Sequence, residues 1–294
     1  MEIESISVFD MLKIGVGPSS SHTLGPWRAA ERWLARLNSK NNLEKVEEVE
    51  VHLYGSLSLT GKGHATDYAV MLGLLGADPE LIPIDSIDSL INTIKNEHVL
   101  HLDGTYKITF DPKKHIVFNR KFLPFHANGL KFQAILKSGK KISKTYYSIG
   151  GGFVISEERK NAKRKVDMFN KFPFPVQKGT ELLDFCKKEG LMISELVLEN
   201  EKSLRDDKTI DHELERIWNT MLECMYTGCH TEGTLPGGLN VKRRAFEMHN
   251  KLKSDIPYTT PEEWLQTIRQ TEVKFRQILQ WVSCFALSVN EVNA

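Results

Sequence analysis

The sequence lacks most of the features that mark a special class of protein. It has 4 cysteines in 294 residues, too few for a disulfide framework at this length, which fits a reducing cytoplasm. Neither sign of charge dominates, with 39 Lys+Arg against 38 Asp+Glu. The chain therefore has no global field to hold nucleic acid or an anionic membrane surface. Its longest apolar stretch, Ala69 to Ala77, is far too short to span a bilayer. The opening Met-Glu-Ile-Glu is acidic and lacks the charged-then-apolar order of a secretion signal. What is present is ordinary: 40% hydrophobic residues, 26% charged, 20 Gly and 11 Pro. Disorder, collagen and coiled coil are excluded on these proportions, leaving a cytoplasmic enzyme or small-molecule binder of roughly two domains.

Hydrophobic periodicity divides the chain. The first part mixes helix and strand patterns: helices over Pro26–Leu37, Ala65–Leu75 and Ile87–Glu97, a half-buried strand over Val46–Tyr54, then strands at Tyr106–Phe110, His115–Phe118, Leu130–Leu136 and Lys144–Ile149. This predicts an α+β domain over a mostly antiparallel sheet, residues 1–156. A dense charge run, Glu157 to Lys165, and then Phe172-Pro173-Phe174-Pro175 continue neither regular structure, so residues 157–178 read as a solvated linker. Residues 179–294 read as all-helical. Apolar stripes begin at Leu182 and Ser194, continue over Asp211–Met225, and end in one long helix from Pro261 to Asn290. That helical part ends with apolar faces uncovered and no capping signal, so an incomplete portion of a longer protein is expected.

Five clusters are candidates for chemistry. Ser19-Ser20-Ser21-His22-Thr23 runs into a helix N-terminus, where hydroxyls and free N–H groups suit a carboxylate or phosphate. Simple N-capping needs only one of those side chains. Gly61-Lys62-Gly63-His64-Ala65-Thr66-Asp67 invites comparison with a phosphate-binding P-loop. The match fails, because five residues rather than four separate Gly55 from Gly61, and Gly63 stands where Ser or Thr should be. His64 could serve as a general base or be structural. Phe125-His126-Ala127-Asn128-Gly129 contains an Asn-Gly pair suited to positive φ, which locally favours a hairpin turn. Tyr146-Tyr147-Ser148, followed by Gly150-Gly151-Gly152, suggests a bulge or a close backbone approach. Gly228 to Leu239 reads as a polar glycine-rich loop between helices. Cys224 and Cys229 are five apart with no second close pair, which suits neither a structural zinc nor a short-spaced iron–sulfur motif, and Cys186 and Cys284 lie on apolar helical faces.

Taken in order, these motifs resemble the iron–sulfur-dependent bacterial L-serine dehydratases, also called L-serine ammonia-lyases. The resemblance runs from Ser7-Val8-Phe9-Asp10-Met11 and Gly17 to Thr23, through Gly61 to Asp67, Phe125 to Gly129 and Tyr146 to Ser148, to Leu235-Pro236-Gly237-Gly238-Leu239, Lys242 to Ala245 and the Asn293-Ala294 end. It implies an N-terminal domain like the allosteric substrate-binding domain of some phosphoglycerate dehydrogenases, followed by a helical catalytic domain. The reaction implied converts L-serine to pyruvate and ammonia, assisted by a four-iron four-sulfur cluster held by three cysteines. By the same resemblance His64 is the base, while Ser19, Ser20, Ser21, His22, Thr23, Gly61, Lys62, Thr66, His126 and Asn128 contribute to the substrate pocket. A homodimer is also implied. The family's cluster cysteines are not in this chain, so it is expected to bind no cluster and to turn over little alone. A non-catalytic L-serine-binding regulatory module is the alternative, and a nucleotide-binding protein rests only on the failed P-loop.

Overall fold

A computed structural model describes residues 6–17, 19–159, 172–235, 241–253, 255–270 and 275–292. The chain forms two compact units, one of Met1–Lys13 with Asn161–Thr220 and one of Ile14–Lys160 with Met221–Ala294. The described helices are α1 Val8–Met11, α2 Gly25–Ser39, α3 Ser56–Leu59, α4 Thr66–Leu74, α5 Ile87–Glu97, α6 Pro112–His115, α7 Gly179–Glu189, α8 Ile193–Lys202, α9 Asp207–His230, α10 Ala245–Leu252, α11 Pro261–Gln270 and α12 Phe275–Val292. The strands are β1 Val46–Tyr54, β2 Val99–Leu102, β3 Tyr106–Thr109, β4 Ile116–Asn119, β5 Gly129–Leu136, β6 Lys141–Ser148 and β7 Val154–Ser156.

In the larger unit a five-stranded sheet runs in the order β4-β1-β5-β6-β7, and β2 and β3 form a separate pair. The sheet is mixed. β1 pairs in parallel with β4, whereas β1–β5, β5–β6 and β6–β7 are antiparallel. Alternation in β1 buries Val49, Val51 and Leu53, and β5 buries Leu130, Phe132 and Ala134. The apolar stripe of α2 supplies Trp27, Ala30, Trp33, Leu34 and Leu37 to the same core, where Trp33 stacks on Phe132 with centroids 6.0 Å apart. Complete burial of each large side chain here contributes about 1.5–3 kcal/mol. This core fixes the two ends of α2 against the sheet, and the candidate site lies at its N-terminal end.

The helical residues of this unit, from the end of α9 through α10, α11 and α12, have a second core of Leu222, Met225, Cys229, Trp264, Trp281 and Cys284. The smaller unit is held by a carboxylate. Glu201, buried at the end of α8, accepts from Ser7 Oγ at 2.9 Å, Val8 N–H at 2.7 Å and Arg205 Nη1 at 2.6 Å, which satisfies the charge it buries. Phe174 exchanges two backbone hydrogen bonds with the Asn200 side chain, at 2.9 and 2.8 Å. Phe172 is buried, so this part of the Phe-Pro-Phe-Pro stretch packs instead of running free. Most of the charge run before it lies outside the described residues.

The stretch expected to be one helix from Pro261 to Asn290 is helical over Pro261–Gln270 and Phe275–Val292, and residues 271–274 lie outside the described residues. Two local readings are corrected. Gly228, Cys229 and His230, expected in a loop, are the last turn of α9. Asn128-Gly129 is no hairpin turn. Neither residue has positive φ, and Gly129 already pairs with Tyr147 as the first residue of β5. The turn between β5 and β6 is made instead at Ser138-Gly139.

Candidate functional site

The hydroxyl-rich segment forms a single π-turn, Ser20–Leu24, that opens directly into α2. Ser19 starts it. Its Oγ accepts from His22 N–H at 3.3 Å, and its carbonyl accepts from Thr23 N–H at 2.8 Å. Capping is therefore real, but it employs only Ser19. π-turns are uncommon and concentrate at functional positions. The turn packs tightly on the end of β6. Ser148 Oγ donates to the Ser21 carbonyl at 2.7 Å, and a Cβ at Gly25 would fall 1.9 Å from that oxygen. Glycine is what permits the contact.

His22 is held at both nitrogens by hydroxyls: Nδ1 lies 2.9 Å from Ser21 Oγ and Nε2 2.9 Å from Ser56 Oγ. Burial, and then the neighbouring His64, push its pKa below the usual imidazole range, against a raising hydrogen bond with Ser56. The ring is therefore neutral at neutral pH. Ser56 opens α3 just after β1, at a left-handed Gly55 with φ +56. A side chain at Gly55 would meet the Ala127 carbonyl at 2.2 Å, and that carbonyl accepts from Ser56 N–H at 2.9 Å.

His64 ends the short 3-10 turn Gly61–His64, before left-handed Ala65 with φ +51. Its ring lies 4.9 Å from that of His22, centroid to centroid, and tilted by 35°. Nδ1 lies 2.9 Å from the Thr60 carbonyl. A carbonyl only accepts, so Nδ1 carries a proton, and in the neutral ring the lone pair is on Nε2. Two threonines lock the backbones of the two histidines together: Thr23 Oγ1 donates to the His64 carbonyl at 3.1 Å, and Thr66 Oγ1 to the His22 carbonyl at 2.7 Å. Asp67, next in sequence, has its pKa raised chiefly by burial, with backbone N–H groups and the charges of Lys95 and Lys62 opposing.

The expected residues thus divide. Ser19, Ser21, His22, Thr23, His64 and Thr66 form one hydrogen-bonded cluster. Asn128 joins it through β6, its Nδ2 donating to the Ser148 carbonyl at 3.2 Å and its own carbonyl accepting from Ser148 N–H at 3.0 Å. His126 turns to its own loop, where Nδ1 accepts from Asn128 N–H at 3.1 Å. Lys62 is exposed, with its ammonium 5.3 Å from the centroid of Phe118. Ser20 is exposed and lends its carbonyl to Gly25 N–H. Gly61 is buried, with the space for a Cβ limited by Thr66 at 3.1 Å. Sequence reasoning missed Ser56 and Thr60, which fix the two imidazoles. A Ser and a Thr between a strand and a Gly-rich turn carry no local signal, because their partners lie in other elements or depend on the turn's geometry.

The thiols are the side chains an iron–sulfur cluster would need. Cys229 and Cys284 approach to 3.6 Å between sulfurs inside the helical core, and Cys284 Sγ points at the Ala245 carbonyl at 3.5 Å. Cys224 is half-buried, and its thiol pKa is raised by burial and by Glu223, the reverse of what a thiolate ligand needs. Among the described residues no three His, Cys, Asp or Glu side chains converge as a metal site. These residues do not fit a cluster that needs three thiolates. Among them, too, no helix is long and apolar enough to cross a membrane.

Comparison with known proteins covers almost all of the chain. Residues 7–159 match the family described as serine dehydratase beta chain, and residues 188–294 match serine dehydratase alpha chain. The chain is 39% identical over 293 residues to the L-serine dehydratase of Haemophilus influenzae, covering 98% of this chain and 61% of that one. It is 42% identical over 294 residues to the L-serine dehydratase of Streptomyces coelicolor, covering 99% and 61%. To L-serine dehydratase 1 of Escherichia coli K12 it is 40% identical over 292 residues, covering 98% and 61%. It therefore spans about three fifths of the length of these relatives. With the two family descriptions matched in order along the chain, the first of them over the hydroxyl–histidine cluster, the chain belongs to the serine dehydratase family.

Proposed function

We propose that this chain supplies the base and part of the substrate pocket of an L-serine dehydratase, with His64 as the base. The observation that carries this reading is the fixed tautomer of His64. Its Nδ1–H is held by the Thr60 carbonyl, which leaves the Nε2 lone pair to accept a proton. His22, neutral and held by two hydroxyls, adds no second cation to repel the imidazolium that forms. The names of the relatives point to L-serine as the substrate.

In the reaction proposed, His64 Nε2 takes the Cα proton, electrons move into a Cα–Cβ double bond, and the β-hydroxyl leaves with the C–O pair. The aminoacrylate isomerises to an imine, and water then releases ammonia and leaves pyruvate. One water is lost and one regained, so no oxidant is needed. No described side chain is assigned to the departing hydroxide. Ser19, Ser20, Ser21, Thr23, Thr66 and the π-turn N–H groups are read as donors to the substrate carboxylate. Gly61, Lys62, His126 and Asn128 are placed around the pocket on the resemblance of their motifs.

We read residues 1–156 as the β domain, a counterpart of the allosteric substrate-binding domain of phosphoglycerate dehydrogenase, and 179–294 as part of the α domain. The spans of the two family matches support that division. A homodimer in the cytoplasm is the expected state, and the sparse cysteine usage supports the compartment.

The test is pyruvate formation from L-serine by the chain joined to the remaining length its relatives carry, with and without His64→Ala. Turnover that collapses while serine binding persists supports the assignment. A near-normal rate in the variant overturns it.

A further inference from the structure

At the other end of α2 lies a cleft of about 500 Å³ lined by Trp33, Arg36, Lys40, Asn42, Lys140 and Ser143, with Leu37 and Ile142. Its charged lining is all positive. Arg36 and Lys40 come from the last turn of α2 and its C-cap, and Lys140 from the turn between β5 and β6. None of these three cations has a carboxylate partner among the described residues, whereas Arg28 on the same helix is paired with Glu31 and Glu80 at 3.0 and 2.8 Å. Two of them complement the negative end of the helix dipole, which is reason enough for Arg36 and Lys40 but not for Lys140 on the opposing turn.

A second observation points to a ligand. Trp33 is 1% exposed, and its indole Nε1 is the single buried side-chain nitrogen or oxygen among the described residues with no hydrogen-bond partner. Such a donor carries a desolvation penalty of roughly 1–3 kcal/mol, which sets it against the packing its ring supplies to the core. An oxyanion seated among the three cations would supply the missing acceptor and neutralise their mutual repulsion.

We propose that this cleft binds a small oxyanion of at least two negative charges, held by Arg36, Lys40 and Lys140 with the Trp33 indole N–H as a neutral donor. It is distinct from the hydroxyl–histidine cluster. The 15-residue α2, about 22 Å long at 1.5 Å per residue, begins at that cluster and ends at this cleft. Strand β6 also joins the two regions, contributing Ile142 and Ser143 here and Ser148 there. The proposal does not depend on the dehydratase reading.

The test uses the chain as it stands, labelled with nitrogen-15, titrated separately with inorganic phosphate and with malonate, each against sodium chloride at matched ionic strength. The indole N–H resonance of Trp33 is assigned from Trp33→Phe. The expected result is a saturating shift of that resonance, with Arg36→Gln/Lys140→Gln weakening binding at least tenfold and Arg28→Gln leaving it unchanged. Phosphate without malonate identifies a phosphate-bearing ligand, the reverse a dicarboxylate, and saturation by both a general dianion site. The proposal is overturned by an equal shift in sodium chloride, by no saturation, or by unaltered affinity in the double variant. Should Trp33→Phe fail to fold, the affinities of the two surface variants decide the matter alone.

Discussion

His22 and His64 face one another with ring centroids 4.9 Å apart, and His230 and His249 do so at 4.7 Å. The surroundings differ in every respect that matters for chemistry. Around the first pair stand the hydroxyls of Ser19, Ser21, Ser56, Thr23 and Thr66, and one imidazole nitrogen, His64 Nε2, remains available. The second pair is enclosed by aromatic rings. His230 donates from Nδ1 to the Tyr226 carbonyl at 2.6 Å and accepts at Nε2 from Tyr258 OH at 2.7 Å. His249, 2% exposed, accepts from the Trp264 indole N–H at 3.0 Å. Burial, then His230 and Lys253, lower its pKa to about 4, against a hydrogen bond with Cys229. Two close histidines are therefore not a site in themselves. A free lone pair beside donors makes one, whereas satisfied nitrogens in an apolar core make a structural joint.

The sharpest way to break this comparison is to remove one histidine from each pair. On the proposed role of His64, His64→Ala is expected to lower pyruvate formation by the chain joined to the remaining length its relatives carry by about 10²–10⁴-fold, the usual worth of a positioned base, while unfolding in urea barely changes. His249→Gln should do the opposite, through stability and its pH dependence. His249 has a lower pKa folded than unfolded, so the unfolded state binds the proton more readily. Its contribution is full above about pH 6.5 and falls away as pH drops toward about 4, a loss of roughly 2–3 kcal/mol. The wild type should therefore lose more urea resistance between pH 7.5 and 4.5 than His249→Gln. Parallel losses would show that the second pair is not the titrating joint.

Smaller effects sharpen the description of the first pair. Gly25→Ala forces a methyl against Ser148 Oγ and should cost about 1–3 kcal/mol as an overpacked contact, measured by thermal unfolding. Ser148→Gly in the same chain should restore part of that loss. Full additivity of the two changes would show that they are not in contact. The mildest change is Ser56→Ala, which removes one partner of His22. A cost of about 0.5–1.5 kcal/mol is expected for the lost hydrogen bond, together with a rise in KM larger than the fall in kcat if His22 belongs to the pocket. An unchanged KM would confine Ser56 to a structural role.

Much of the fold could be read directly from the residues. Period-two alternation placed β1 at its observed bounds, and period 3.6 did so for α5 and nearly so for α2 and α4. The short strands β2 and β7 escaped the reading, whereas the similarly short β3 and β4 were found. The extent of α9 was underestimated because Gly228 and the adjacent Cys and His resemble a loop locally, while burial of Cys229 keeps them helical. Of the candidate site, the two histidines and the Ser/Thr run were legible, since three consecutive hydroxyls before a helix exceed what capping requires. His126 was named for the pocket, but the contacts described for it stay within its own loop.

Residue order was enough to establish that this chain would build an α+β region before a helical one, and it singled out Ser19–Thr23 and His64, which the fold brings together. Periodicity and composition report on burial and turns within a few residues, and those features are encoded locally. The long-range pairings emerged only from the packed fold. Ser56 meets His22 because β1 ends beside the start of α2, and Ser148 meets Ser21 because β6 lies in register with β5. The cationic cleft exists because the end of α2 comes to rest beside the β5–β6 turn. Such meetings depend on strand order, register and the shape of a shared core, which no short stretch of residues specifies.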